Sequence, residues 1–82
     1  MKGIVEFVNV NKGFVAVMTE NHDYSIVEIV DSYVPEIEAI VYGNLENLGG
    51  ETLKCIDDGV EFDVFIQDIH SNLNNAKRIL FN

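Results

Sequence analysis

The sequence predicts a mainly β protein, with five or six short strands closing or nearly closing a small barrel and a short helix at the C-terminus. Two observations carry this expectation. Short runs of alternating apolar and polar residues are separated by Gly, Asn and Asp turn signals over most of the chain. Helical spacing is confined to 71–81. With 82 residues the chain makes one domain, 1–82, divided into a three-stranded meander (1–30), the remaining strands (39–69) and the helix (71–81). A chain of this size buries roughly 60–65% of its unfolded surface, so the core is thin.

Gly3 to Val8 reads as the first strand, with Val5 and Phe7 on one side and Ile4, Glu6 and Val8 on the other. Asn9 to Gly13 is a turn, and Phe14 to Thr19 a second strand. After the polar turn 20–23, Tyr24, Ile26 and Glu28 alternate with Ser25, Val27 and Ile29 in a third strand that runs to Val30. Pro35, the only proline, marks a connection, because it fixes φ and lacks a backbone donor. Ala39 to Leu45 reads as a fourth strand, closed by Gly43-Asn44 or by Gly49-Gly50. Thr52 to Ile56 and Val60 to Ile69 form a hairpin across Asp57-Asp58-Gly59. In its second strand Val60, Phe62, Val64 and Ile66 share the core face, which leaves Phe65 as the one large apolar residue on the polar face. In 71–81, Leu73, Ala76, Lys77 and Leu80 fall on helical spacing, Ser71 or Asn72 can cap the start, and Lys77-Arg78 suit the last turn. This helix is expected to cover one open end of the barrel.

The charge is strongly acidic. Fourteen acids against five bases give −9, and the bases Lys2, Lys12, Lys54, Lys77 and Arg78 are scattered. Such a field opposes the approach of nucleic acid and favours solubility. The apolar fraction of 48% and the five Phe argue for a compact globule rather than disorder. Cys55 is the only cysteine, so no internal disulfide forms, and as a small hydrophobe it is expected to be buried. No apolar run approaches the length of a membrane span, and the first residues run straight into strand pattern without a leader. A cytoplasmic location is the expectation.

The segment Lys2–Thr19, KGIVEFVNVNKGFVAVMT, resembles the opening hairpin of the cold-shock nucleic-acid-binding domains. Gly3, Val5, Phe7, Asn9, Lys12, Gly13 and Phe14 fall on the matching positions of that family's Gly-x-Val-x-aromatic-aromatic-Asn-x-x-Lys-Gly-Phe-Gly-Phe-Ile pattern. The resemblance implies an OB-type barrel, and a meander is the usual first half of one. It also implies a ligand face on the first three strands, at Glu6, Phe7, Lys12, Phe14, Ala16, Ile26, Glu28 and Ile29. Single strands are held by exposed aromatics and a basic groove. Phe7, Phe14 and Lys12 keep that character. Elsewhere the chain departs from the pattern: Glu6 stands where the family usually has Lys, and Val15 and Ala16 replace a glycine and an aromatic. Ser25–Ile29 has neither aromatic nor His where the family reads close to Val-Phe-Val-His-Phe. At ~1–3 kcal/mol per stacked base, three lost platforms remove several kcal/mol of binding. Phe7 and Phe14 either stack a ligand or pack in a core or under the C-terminal helix.

No catalytic constellation is present. His22 and His70 lie far apart with no nucleophile or acid signature, and Ser25, Ser32 and Ser71 have no local base motif. His22-Asp23 and Asp68-x-His70 each offer two possible metal ligands without a known metal-binding spacing, so they read as surface turn residues. No enzyme, metal or cofactor is expected. The expected function is a binding module for a protein partner or a second copy, through exposed apolar residues such as Ile26, Ile29 and Phe65. The alternative is weak binding of single-stranded RNA or DNA through Phe7, Lys12, Phe14 and Tyr24.

Overall fold

The structure, a computed structural model, describes residues 1–82. It is a closed antiparallel barrel followed by one helix. The strands are β1 (Lys2–Asn9), β2 (Phe14–Thr19), β3 (Tyr24–Ile29), β4 (Ile40–Tyr42), β5 (Gly49–Cys55) and β6 (Glu61–Ser71), and the helix is α1 (Leu73–Phe81). Around the barrel the order is β1-β2-β3-β6-β5-β4, so the meander is continued by β6 and closed by β4 against β1. Closure rests on the short β4, which pairs with Lys2–Ile4 of β1 on one side and with Lys54 and Cys55 of β5 on the other. The helix is too short and too polar to cross a membrane.

The interior is filled by Val5, Val15, Val17, Val27, Val41, Leu53, Phe62, Val64 and Ile66, all essentially inaccessible to solvent. Their alternation along β5 and β6 matches the sequence pattern, and Cys55 lies among them. The turn between β1 and β2 ends at Gly13, whose φ of 70° a side chain would strain. Its carbonyl accepts from Ile29 N at 2.8 Å.

Three expectations are corrected. Val5 and Phe7 do not share a side: pairing passes from Val5↔Val17 to Phe7↔Ala16, and Glu6 is the extra residue of a bulge. One inserted residue reverses the alternation, so Val5 faces the interior while Phe7 faces outward, and Val8 turns back toward the core. The fourth strand is only Ile40–Tyr42. Leu45 beyond it folds inward, where its carbonyl accepts from Ser25 Oγ at 2.5 Å. Of the two turn signals offered for the end of β4, Gly43-Asn44 closes it, whereas Gly49 and Gly50 open β5, opposite Ile66 and Phe65.

The third correction concerns α1. It packs against β1, β2 and β3 rather than over an open end of the barrel. Asn72 is its N-cap, with Oδ1 accepting from Asn75 N at 2.8 Å. Ala76 and Leu80 are its buried residues, whereas Leu73 is exposed despite sharing their spacing.

Candidate functional site

The outer face of the meander is an apolar surface of its own, separate from the barrel interior. Ala16, Tyr24 and Ile26 project outward from β2 and β3 and are buried by Ala76 and Leu80 of α1. Phe7, Phe14, Met18 and Ile79 pack half-buried around this cluster. Alanine at both 16 and 76 lets the helix lie close to the sheet. A phenylalanine at position 16 would fill the space that the helix occupies. The residues that depart from the cold-shock pattern, Ala16 and Ile26, are therefore the ones that seat α1.

Phe7 touches two aromatics. Its ring centroid lies 6.1 Å from that of Tyr24 in a tilted arrangement and 6.3 Å from that of Phe81 edge-on. Lys77 Nζ sits 5.7 Å from the same ring centroid, within cation–π range. One face of Phe7 is thus engaged by the chain itself. Tyr24 donates its hydroxyl proton to Glu6 Oε1 at 2.8 Å. Burial, together with that carboxylate, pushes the Tyr24 phenol up to about 12.

The Asn9-x-x-Lys12 turn is committed to the helix as well. Lys12 Nζ donates to the backbone oxygens of Ile79 at 3.1 Å and Asn82 at 2.5 Å. Asn9 Nδ2 donates to Leu80 O at 2.6 Å, and Asn9 Oδ1 accepts from Lys12 N at 3.2 Å. A cation and an amide thus meet the unpaired carbonyls at the helix C-terminus, where the helix dipole is negative. The residues that signal a nucleic-acid ligand in the sequence serve here as the C-terminal clamp of α1.

Phe7, Lys12, Phe14 and Tyr24 are therefore brought together, but beneath and beside the helix. Ile26 is fully buried there, and Ile29 packs against the barrel interior, so neither forms the exposed patch expected of them. Phe65 lies apart on the outer face of β6, 44% exposed, between Glu28 of β3 and Gly50 of β5.

The histidines also separate. His22 is exposed in the β2–β3 turn with φ 62°, whereas His70 is the penultimate residue of β6, has φ 55° and contacts two acids. His70 Nδ1 is 2.8 Å from Asp23 Oδ2, and its Nε2 is 3.8 Å from Glu46 Oε2. The Asp23 hydrogen bond raises the His70 pKa above its ordinary value, and the same bond lowers that of Asp23. This contact joins the end of β6 to the β2–β3 turn beside the start of α1. No cluster of His, Cys, Asp or Glu side chains has the geometry to hold a metal ion.

No protein-family model, curated protein or solved structure matches the chain. What the site can do rests on its own geometry. One signal for the buried meander face was present in the sequence: Phe14-Val15-Ala16-Val17-Met18 is apolar without interruption. A strand that is apolar at every position is covered on both faces.

Proposed function

We propose that this protein is a non-enzymatic OB-type binding module, derived from a cold-shock-like barrel, that engages another protein rather than nucleic acid. The observation that carries this reading is the docking of α1 on the meander face. In a cold-shock-like barrel that face would stack bases, and here Ala16 and Ile26 are buried against the helix while Lys12 holds its C-terminus. Stacking requires aromatic faces open to solvent and cations free to meet phosphates. The net charge of −9 acts in the same direction.

The test is affinity enrichment from a lysate of the native organism, with and without nuclease, followed by rebinding of the purified components. The expected result is a discrete protein partner that survives nuclease and rebinds in purified form. Recovery of RNA or DNA that rebinds the purified protein would overturn the reading.

A further inference from the structure

The acids of this protein are almost all unpaired. The only ion pairs are those of His70 with Asp23 and Glu46, and no lysine or arginine pairs with a carboxylate. Unpaired acids lie on the outer face of β3 and β6, at Glu28, Asp63 and Glu61, and the one cation of that face on β5, Lys54, lies opposite Glu61, four residues along β6 from Phe65. There Glu28, Phe65 and Gly50 lie side by side across three strands. Asp63 lies next along β6, opposite Thr52 and bonded through its carbonyl to Val30 N.

This face contains a notch. A Cβ at Gly50 would meet nothing within 4 Å, so the floor beside the Phe65 ring is open. The resulting groove is shallow and open to solvent, with a volume of about 390 Å³, and Phe65, Val30, Asp63 and Glu51 are among the residues that line it. Phe65 and Val30 are 44% and 61% exposed, on a part of the surface that α1 does not reach. The carboxylates here accept only neutral donors: Gln67 to Glu28, Thr52 to Asp63 and Asn47 to Glu51. An exposed aromatic ring beside an open floor, ringed by carboxylates without cations, suits one side chain above others. A guanidinium stacks its plane on an aromatic face and forks two N–H donors onto a carboxylate.

The geometry points to this groove as a docking site for an arginine-bearing basic segment of a partner protein, with the guanidinium on Phe65 and its donors shared by Glu28 and Asp63. The inference rests on the protein-binding reading above and names the chemistry of the partner. Charge complementarity selects the occupant: a second copy of this chain would bring the same net −9 to the contact. Lysine is a poorer fit, because its compact ammonium cannot stack as a plane.

The probe is a short peptide alternating Arg and Ser, compared with its Lys-for-Arg and citrulline-for-Arg counterparts. Binding is read by fluorescence anisotropy at low and high salt and by backbone amide shifts. The arginine peptide should bind most tightly, weaken with salt, and shift the amides of Val30, Gly50 and Phe65. Phe65→Ala should weaken it about two- to fivefold, the range for an exposed cation–π contact, and remove the preference for arginine over lysine. Phe65→Leu, which keeps the apolar bulk, should lose the same preference. Glu36→Gln, which removes one exposed acid in the β3–β4 connection, should leave binding unchanged.

Absence of binding at low salt would overturn the proposal. So would binding with no arginine preference, lowered equally by Glu36→Gln and Phe65→Ala, because that is diffuse charge attraction. A nuclease-resistant partner insensitive to Phe65→Ala would refute the groove and leave the protein-binding reading standing. Recovery of nucleic acid would remove that reading itself.

Discussion

Leu80→Ala and Leu73→Ala make the same chemical change seven positions apart on one helix, and the structure gives them different consequences. Leu80 is fully buried against Ala16, Tyr24, Ile26 and Ala76, whereas Leu73 is 44% exposed. Deleting a buried leucine side chain costs about 2–5 kcal/mol, with the value set by how far the site can collapse. The cluster has five buried residues, two of them on the nine-residue helix itself, which can settle inward. The low end, about 2–3 kcal/mol, is therefore expected for Leu80→Ala, and less than about 1 kcal/mol for Leu73→Ala. Alanine's higher helix propensity recovers only a few tenths of a kcal/mol in either case. With a urea slope of about 1 kcal/mol/M, the midpoint should fall by about 2–3 M for Leu80→Ala and by less than about 1 M for Leu73→Ala. Far-UV circular dichroism and tyrosine fluorescence, followed together, measure both midpoints and check that each transition is two-state. Equal midpoint shifts for the two variants would refute the placement of α1 on the meander.

Other perturbations probe the hairpin turn, the barrel interior and the His70 contact. Gly59 has φ 75° and nothing within 4 Å of its Cβ position, so Gly59→Val should cost about 1–2 kcal/mol through backbone strain alone; an unchanged unfolding midpoint would contradict this. Val64 is buried in the barrel and Glu61 is exposed on the same strand, so Val64→Asp should largely unfold the domain while Glu61→Lys leaves its melting temperature nearly unchanged. The His70–Asp23 contact is pH-dependent in a defined direction. Because the His70 pKa is raised, its stabilisation is complete below 6.5 and is lost as pH rises through the raised value; because that of Asp23 is lowered, its contribution is present above 3.8 and is lost as pH falls through the lowered value. In Asp23→Asn the His70 ring resonances should titrate nearer 6.5, and an unchanged NMR titration would show that Asp23 is not the cause.

The architecture was legible because local pattern and barrel agree. Val60, Phe62, Val64 and Ile66 read as a core face, and three of them lie fully inside the barrel, with Val60 at its margin. The faces of β1 were not legible past Glu6, because a bulge is a choice of register between strands and leaves no local signature. Leu73 looked equivalent to Leu80 because helical spacing defines a stripe but not its ends. The position of α1 required noticing that β2 is apolar on both faces, a pattern that an isolated barrel would expose to water. Lys12 was identified as a functional cation from its motif, but only the tertiary fold shows that its partners are the helix carbonyls.

The meander face is closed by the chain's own helix. Titration of the intact protein with a labelled, mixed-sequence single-stranded oligonucleotide at low salt tests it most directly, with the backbone amides of Phe7, Phe14, Ala16 and Ile26 followed at the same time. No saturable binding and no movement of those amides is expected, because their side chains pack against α1. Saturable binding that shifts these amides and is abolished by Phe14→Ala would contradict it.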